Sequence, residues 1–134
     1  MSDQREQFRV QIEALVVRFE AEVDRREWIT RRYPKRLRDD AGAIYEVPAL
    51  YVQKGATSLL LDPVGYDMPG ADAAADLYLM PAYDPMASLY FENGRWMLHY
   101  AFPADPGETK ALPLSAQTIN QVLDTIAEHA VPSV

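Results

Sequence analysis

The sequence predicts an α+β domain: a long N-terminal helix, about five mostly antiparallel strands that include two hairpins, and a C-terminal helix packed on the sheet. Three observations carry this. Apolar residues recur at helical spacing from Asp3 to about Glu27. Asn93-Gly94 divides two segments that alternate in character. Ser115 stands ahead of a second helical stripe that ends before Pro132. With 134 residues, a single domain over 1–134 is expected.

In the first helix, Phe8, Ile12, Leu15, Val16, Phe19 and Val23 fall on one stripe, with Glu13, Arg18, Glu20 and Arg26 mostly on the wet side. Residues 25–38 follow and hold seven of the thirteen Lys and Arg. Pro34 disfavours helix at Tyr33, so this stretch reads as the helix end and the turn towards the sheet. Asp39-Asp40-Ala41-Gly42 is a turn by composition. Ile44–Val52 and Ala56–Leu61 read as a first hairpin, and Pro48 suggests an edge strand or a bulge there.

Asp62 to Asp76 reads as the longest irregular stretch, with two Pro, two Gly and four Asp, and Ala71–Asp76 suits one short helical turn. Leu77–Tyr83 is the next strand. Ser88–Phe102 is the clearest element. Asn tolerates φ > 0 and Gly adopts it freely, so Asn93-Gly94 suits a type I′ turn. That turn pairs Glu92 with Arg95, Phe91 with Trp96, Leu89 with Leu98 and Ser88 with His99. One face then carries Leu89, Phe91, Trp96, Leu98, Tyr100 and Phe102, and the other Ser88, Tyr90, Glu92, Arg95, Met97 and His99. An isolated hairpin is marginal in water, so further strands and helices must cover the apolar face. The stretch from Pro103 to Lys110 reads as a loop. Ser115 caps the last helix, Leu114 staples onto Ile119, and Ile119, Val122, Leu123 and Ile126 form its stripe.

Composition narrows the function classes. The absence of cysteine removes disulfides, thiol catalysis and cysteine zinc sites, and two histidines, His99 and His129, are too few for a His-rich metal centre. Phosphate-binding glycine loops and dinucleotide fingerprints are absent, so no cofactor is expected. Residues 1–38 hold ten cations and seven anions, a net of +3; residues 39–134 hold three and thirteen, a net of −10. The acidic body argues against nucleic acid and anionic membranes. No apolar run has the roughly 20 residues of a spanning helix. The N-terminus is polar and lacks a signal core, so a cytoplasmic protein is expected.

Four groups of residues are candidates for function. Arg31, Arg32, Lys35 and Arg36, near Trp28 and Tyr33, form an anion-contact candidate or a docking point for an acidic protein patch; the simpler use is a solvated helix end that complements the helix dipole. Asp62, Asp67, Asp72 and Asp76 resemble a cation-binding or acid–base loop, but their spacing is not that of an EF-hand, and turn chemistry explains them as well. His99 opposite Ser88 invites a nucleophilic reading, yet no Gly-x-Ser-x-Gly elbow or oxyanion element accompanies it. Glu46, Lys54 and Asp62 are available for a nuclease site, but the diagnostic Glu-x-Lys is missing. Tyr and Trp anchor interfaces, so Tyr45, Tyr51, Tyr78, Tyr90 and His99 on a shared face would make a binding surface.

The function expected is therefore a small acidic, non-enzymatic domain that engages a protein partner. Its candidate contacts are Tyr90, Met97 and His99 on the sheet face and Asp62, Asp67 and Asp72 in the acidic loop. Self-association as a face-to-face homodimer is a further expectation. The alternative is a small metal-dependent hydrolase that uses the Asp62–Asp76 loop and His99.

Overall fold

The computed structural model describes residues 3–66 and 70–130. Helix α1 (Asp3–Glu22) is followed by seven strands, β1 (Ile29–Arg38), β2 (Ile44–Lys54), β3 (Thr57–Gly65), β4 (Ala73–Met80), β5 (Asp84–Glu92), β6 (Arg95–Ala101) and β7 (Thr109–Pro113), and by helix α2 (Ala116–His129). The strands lie in one sheet in chain order, each antiparallel to the next. The α+β class holds, with seven strands in place of about five. No described helix is long and apolar enough to cross a membrane.

The two additional strands lie at the sheet edges. β1 is the basic stretch that reads as a helix end. Helix α1 stops at Glu22, and Asp24 accepts the Arg26 N–H at 3.0 Å, which favours a turn over another helical residue. Residues 29–38 then pair with β2 along their whole length. Pro34 lies opposite Pro48, so the two missing donors fall on one rung. β2 is internal to the sheet, but its ladder to β3 starts only at Leu50, so Pro48 lies on a stretch of β2 that is open on the β3 side, a local edge of the kind proline tolerates. β7 follows directly on the Pro103–Glu108 loop and pairs with Met97–Ala101.

The Asp62–Asp76 stretch is the other correction. β3 runs on to Gly65 and β4 begins at Ala73, so the connection is confined to residues 66–72. Asp62 pairs with Asp76 and Pro63 with Ala75, with a bulge between Pro63 and Gly65 that absorbs the proline. Ala71–Asp76 is not helical, because Ala73–Asp76 are bonded into the sheet beside β5. The central hairpin agrees with its expected register on every rung, and Asn93 (φ 52°) and Gly94 (φ 79°) form its turn.

Both helices cover one sheet face. Phe8, Ile12, Leu15, Val16 and Phe19 from α1 and Ile119, Val122, Leu123 and Ile126 from α2 close over Leu50, Val52, Leu59, Leu61, Leu77, Leu89, Trp96 and Leu98. Alternation slips between Val47 and Leu50, so both enter this core. Ser115 caps α2 reciprocally with Thr118, and Leu114 is buried beneath the cap. Helix α2 ends at His129, and Pro132 lies outside the described residues.

Candidate protein-binding face

Among the described residues, the second sheet face carries no helix. Because side chains alternate, the register of successive pairings determines which residues line up across it. The central row reads Asp62–Asp76–Ser88–His99–Ala111 across β3 to β7. On one side lies Arg31–Tyr51–Leu60–Tyr78 across β1 to β4. On the other lies Ala74–Tyr90–Met97–Pro113 across β4 to β7. A polar row is thus flanked by two apolar and aromatic rows. Leu60 is only 5% exposed between Tyr51 and Tyr78, although no helix covers it.

The polar groups are largely tied to one another. Ser88 Oγ and Tyr78 Oη each donate to the Asp76 carboxylate at 3.1 Å. Lys35 Nζ reaches Asp62 at 2.9 Å and donates to the Pro63 carbonyl at 2.7 Å. His99 Nε2 lies 2.8 Å from Glu92 Oε1, and its ring meets Tyr90 edge-on at 4.9 Å between centroids. Arg31 sits over the Tyr51 ring at 5.0 Å, and Tyr33 packs edge-on against Tyr51. Burial first, and then the carboxylates of Asp76 and Asp62, push the Tyr78 hydroxyl above the usual tyrosine range.

Of the sequence candidates, Tyr90, Met97, His99 and Asp62 share this face. Asp72 is exposed beyond the start of β4, with its N–H bonded to the Phe91 carbonyl. Asp67 lies outside the described residues. Tyr45 belongs to the helix side, where its ring meets Phe8. The four cations of β1 do not converge. Arg32 turns to the helix side, where Glu13 (2.9 Å) and Glu20 (2.8 Å) grip its guanidinium. Arg36 pairs loosely with Glu46 at 3.5 Å, Lys35 serves Asp62, and Arg31 stacks on Tyr51. Tyr51, Tyr78 and Ser88 also lie on this face, as the shared-face and hairpin readings expected. Asp76 joins them from a stretch that reads as a loop; its signal was the alternation of Asp76-Leu77-Tyr78, masked by the Asp- and Gly-rich residues before it.

The Ser88–His99 pair does not form a nucleophile and base. The Ser88 hydroxyl is spent on Asp76, and His99 Nε2 is directed to Glu92. Asp62 and His99 lie three strand spacings apart, about 14 Å. Among the described residues, no three His, Asp or Glu side chains gather at metal-binding distance. Comparison of the chain with protein-family models, curated proteins and solved structures finds no match.

The shifted groups contribute to the pH dependence of stability at both ends of the range. Arg32 lowers the Glu20 carboxyl, and the Ala43 and Ala41 N–H groups with Arg5 lower that of Asp39. A lowered folded value contributes stability above the unfolded range near about pH 4, and this is lost as pH falls through the folded value. Burial raises the hydroxyls of Tyr45, Tyr78 and Tyr100. Their contribution is complete below about pH 10 and is lost as pH rises through the folded values. A melting-temperature profile should fall at both ends, and Tyr78→Phe should flatten the alkaline fall. An unchanged alkaline limb would refute the role of Tyr78.

Proposed function

We propose that this chain is a non-enzymatic binding domain that engages a protein partner through the helix-free face of its sheet. The observation that carries this reading is the face itself, where Tyr51, Leu60, Tyr78, Tyr90 and Met97 surround a row of polar groups each already held by a partner in the chain. Such a surface offers aromatic and sulfur-bearing anchors with little unsatisfied polarity to strip of water. Its size also suits an interface. Seven strands span about 29 Å, and six residues along each give about 20 Å, hence roughly 600 Å². A standard interface takes about 800 Å² from each partner. Two features weigh against the hydrolase reading: Ser88 and His99 are engaged with different carboxylates, and the acidic residues do not converge on His99.

The test is affinity capture from the source cells, with purified wild type and two variants as bait. A partner held by wild type should be retained at least about 30-fold more weakly by Tyr90→Ala/Met97→Ala, the loss of one hot spot of roughly 2 kcal/mol. It should be kept by Val17→Ser, on the exposed side of α1. Equal retention by all three baits would refute the reading. So would a hydrolytic activity abolished by Ser88→Ala or His99→Ala.

A further inference from the structure

Helix α1 is apolar on two sides. One stripe is buried against the sheet. On the opposite side Val10 and Val17 are 60% and 46% exposed, and Gln7, Ala14 and Ala21 are exposed with them. The positions 7, 10, 14, 17 and 21 alternate steps of three and four, the repeat of a coiled-coil seam, with Gln7, Ala14 and Ala21 at a and Val10 and Val17 at d. A helix that only covers a sheet carries its charges on that side. Here they flank the seam instead. Glu6, Glu13 and Glu20 hold the g positions, and Gln11 and Arg18 hold e, with Arg25 one heptad further on. On the acidic flank Arg9 bonds Glu6, and the single Arg32 serves both Glu13 and Glu20, so two cations stand among three carboxylates. On the other flank, among the described residues, Arg18 pairs with no carboxylate; it donates to the Leu114 carbonyl at 3.0 Å. Glu22 lies further round, towards the core stripe, and is half-buried.

We propose that two copies of this chain pair through this side of α1, helix parallel to helix about a two-fold axis. The flanking charges select both the occupant and its direction. In a parallel pair each g residue faces the e residue five places on in its mate. Glu13 of one copy then meets Arg18 of the other, Glu20 meets Arg25 and Glu6 meets Gln11, and the axis makes each contact twice. Antiparallel helices would instead set the three glutamates against those of the mate. The pairs are exposed, so they fix orientation more than affinity. Steric fit agrees. Gln7, Val10 and Gln11, with Glu6, line a hollow of about 310 Å³, which is where the Val10 knob of a parallel mate enters. From Gln7 to Ala21 the seam runs about 21 Å, and at a helix width of about 10 Å it offers roughly 200 Å² on each copy. A standard interface takes about 800 Å² from each partner, so the dimer is weak, with a dissociation constant on the order of 100 µM. No cost of helix formation opposes it, because α1 is already held by its other side. The two helix-free sheet faces point away from the axis. Pairing is therefore independent of a partner bound there, and Val17→Ser weakens the seam without touching that face.

Sedimentation equilibrium of the full chain from about 10 µM to about 1 mM tests the pairing. The expected result is monomer at the low end and dimer at the high end. Val10→Asp/Val17→Asp should weaken association at least about tenfold and Arg18→Glu at least about threefold. Both valines are exposed, so the melting temperature of the double variant should stay within a few degrees of wild type. Direction is read by cross-linking. The chain has no cysteine, so a single introduced one reports on its own mate. Gln7→Cys and Ala21→Cys should each form a disulfide-linked dimer alone on mild oxidation. Cross-linking only in a mixture of the two variants would mark an antiparallel pair and overturn the parallel one. A chain that stays monomeric up to the highest concentration overturns the proposal. So does a dimer that Val10→Asp/Val17→Asp leaves intact, whether or not Tyr90→Ala/Met97→Ala dissociates it.

Discussion

Replacing Trp28 with alanine should cost about 3–5 kcal/mol, the usual range for a fully buried aromatic truncated to a methyl group. Trp28 is 1% exposed and is the first residue after the turn that ends α1. Its N–H closes that turn on the Asp24 carbonyl at 2.8 Å. Its indole Nε1 donates to Asp124 of α2 at 3.2 Å, and Lys54 of β2 lies over its ring at 5.9 Å. One side chain therefore ties the start of β1 to α2 and to the neighbouring strand. Trp28→Ala leaves a cavity that α1, α2 and the sheet cannot all close. Trp28→Phe keeps most of the volume and loses the hydrogen bond, so a cost of about 1–2 kcal/mol is expected. Urea denaturation checks both. Since a domain of this kind is stable by about 5–15 kcal/mol, Trp28→Ala should be partly unfolded well below the wild-type midpoint. A loss under 1 kcal/mol for the alanine variant would contradict this account.

The second large effect is expected at Asn120. Helix α1 has no glycine at its C-terminal end, and its last groups are capped from α2 instead. Asn120 Nδ2 donates to the Glu22 carbonyl at 2.8 Å, and Oδ1 accepts the Asp24 N–H at 2.9 Å. The same amide donates to the Ala116 carbonyl at 2.8 Å, which locks its rotamer. Asn120→Leu keeps nearly the same shape and strands one donor and one acceptor. At about 1–3 kcal/mol for each unsatisfied group, a loss of roughly 2–6 kcal/mol is expected, towards the low end because Glu22 and Asp24 are half-buried. Asn120→Asp keeps an acceptor for the Asp24 N–H but turns an oxygen towards the Glu22 carbonyl, so its loss should be intermediate. Thermal melts of the two variants decide. If leucine is tolerated as well as aspartate, packing alone holds the end of α1.

The contrast between elements shows what kinds of structure can be read locally. The Asn93-Gly94 hairpin was legible rung by rung because its turn and its alternation lie within fifteen consecutive residues. Helix α2 was legible because Ser115, Leu114 and the Ile119–Ile126 stripe are all near neighbours in the chain. The strand character of Ile29–Arg38 was hidden by its charge. Those cations are accommodated by Glu13 and Glu20 of α1, Glu46 of β2 and Asp62 of β3, none of which the stretch itself contains. The Asp62–Asp76 stretch was hidden in the opposite way. Its Pro, Gly and Asp residues are turn formers, yet neighbouring ladders carry both of its ends. For the candidate face, alternation named Tyr90, Met97 and His99. It could not place Asp76 beside Asp62 and Ser88, because that row depends on the registers of β3–β4 and β4–β5 together.

The amino-acid sequence by itself determined the α+β class, the two helices, the central hairpin and its two faces, since each follows from spacing and capping within a few turns or one hairpin. Only the tertiary structure decided that seven strands form the sheet, that both helices cover one face, and that Asp62, Asp76, Ser88 and His99 line up on the other. The reason is physical: strand identity and cross-sheet rows are products of pairing between distant segments, and a residue's own neighbours in the chain do not contain that information.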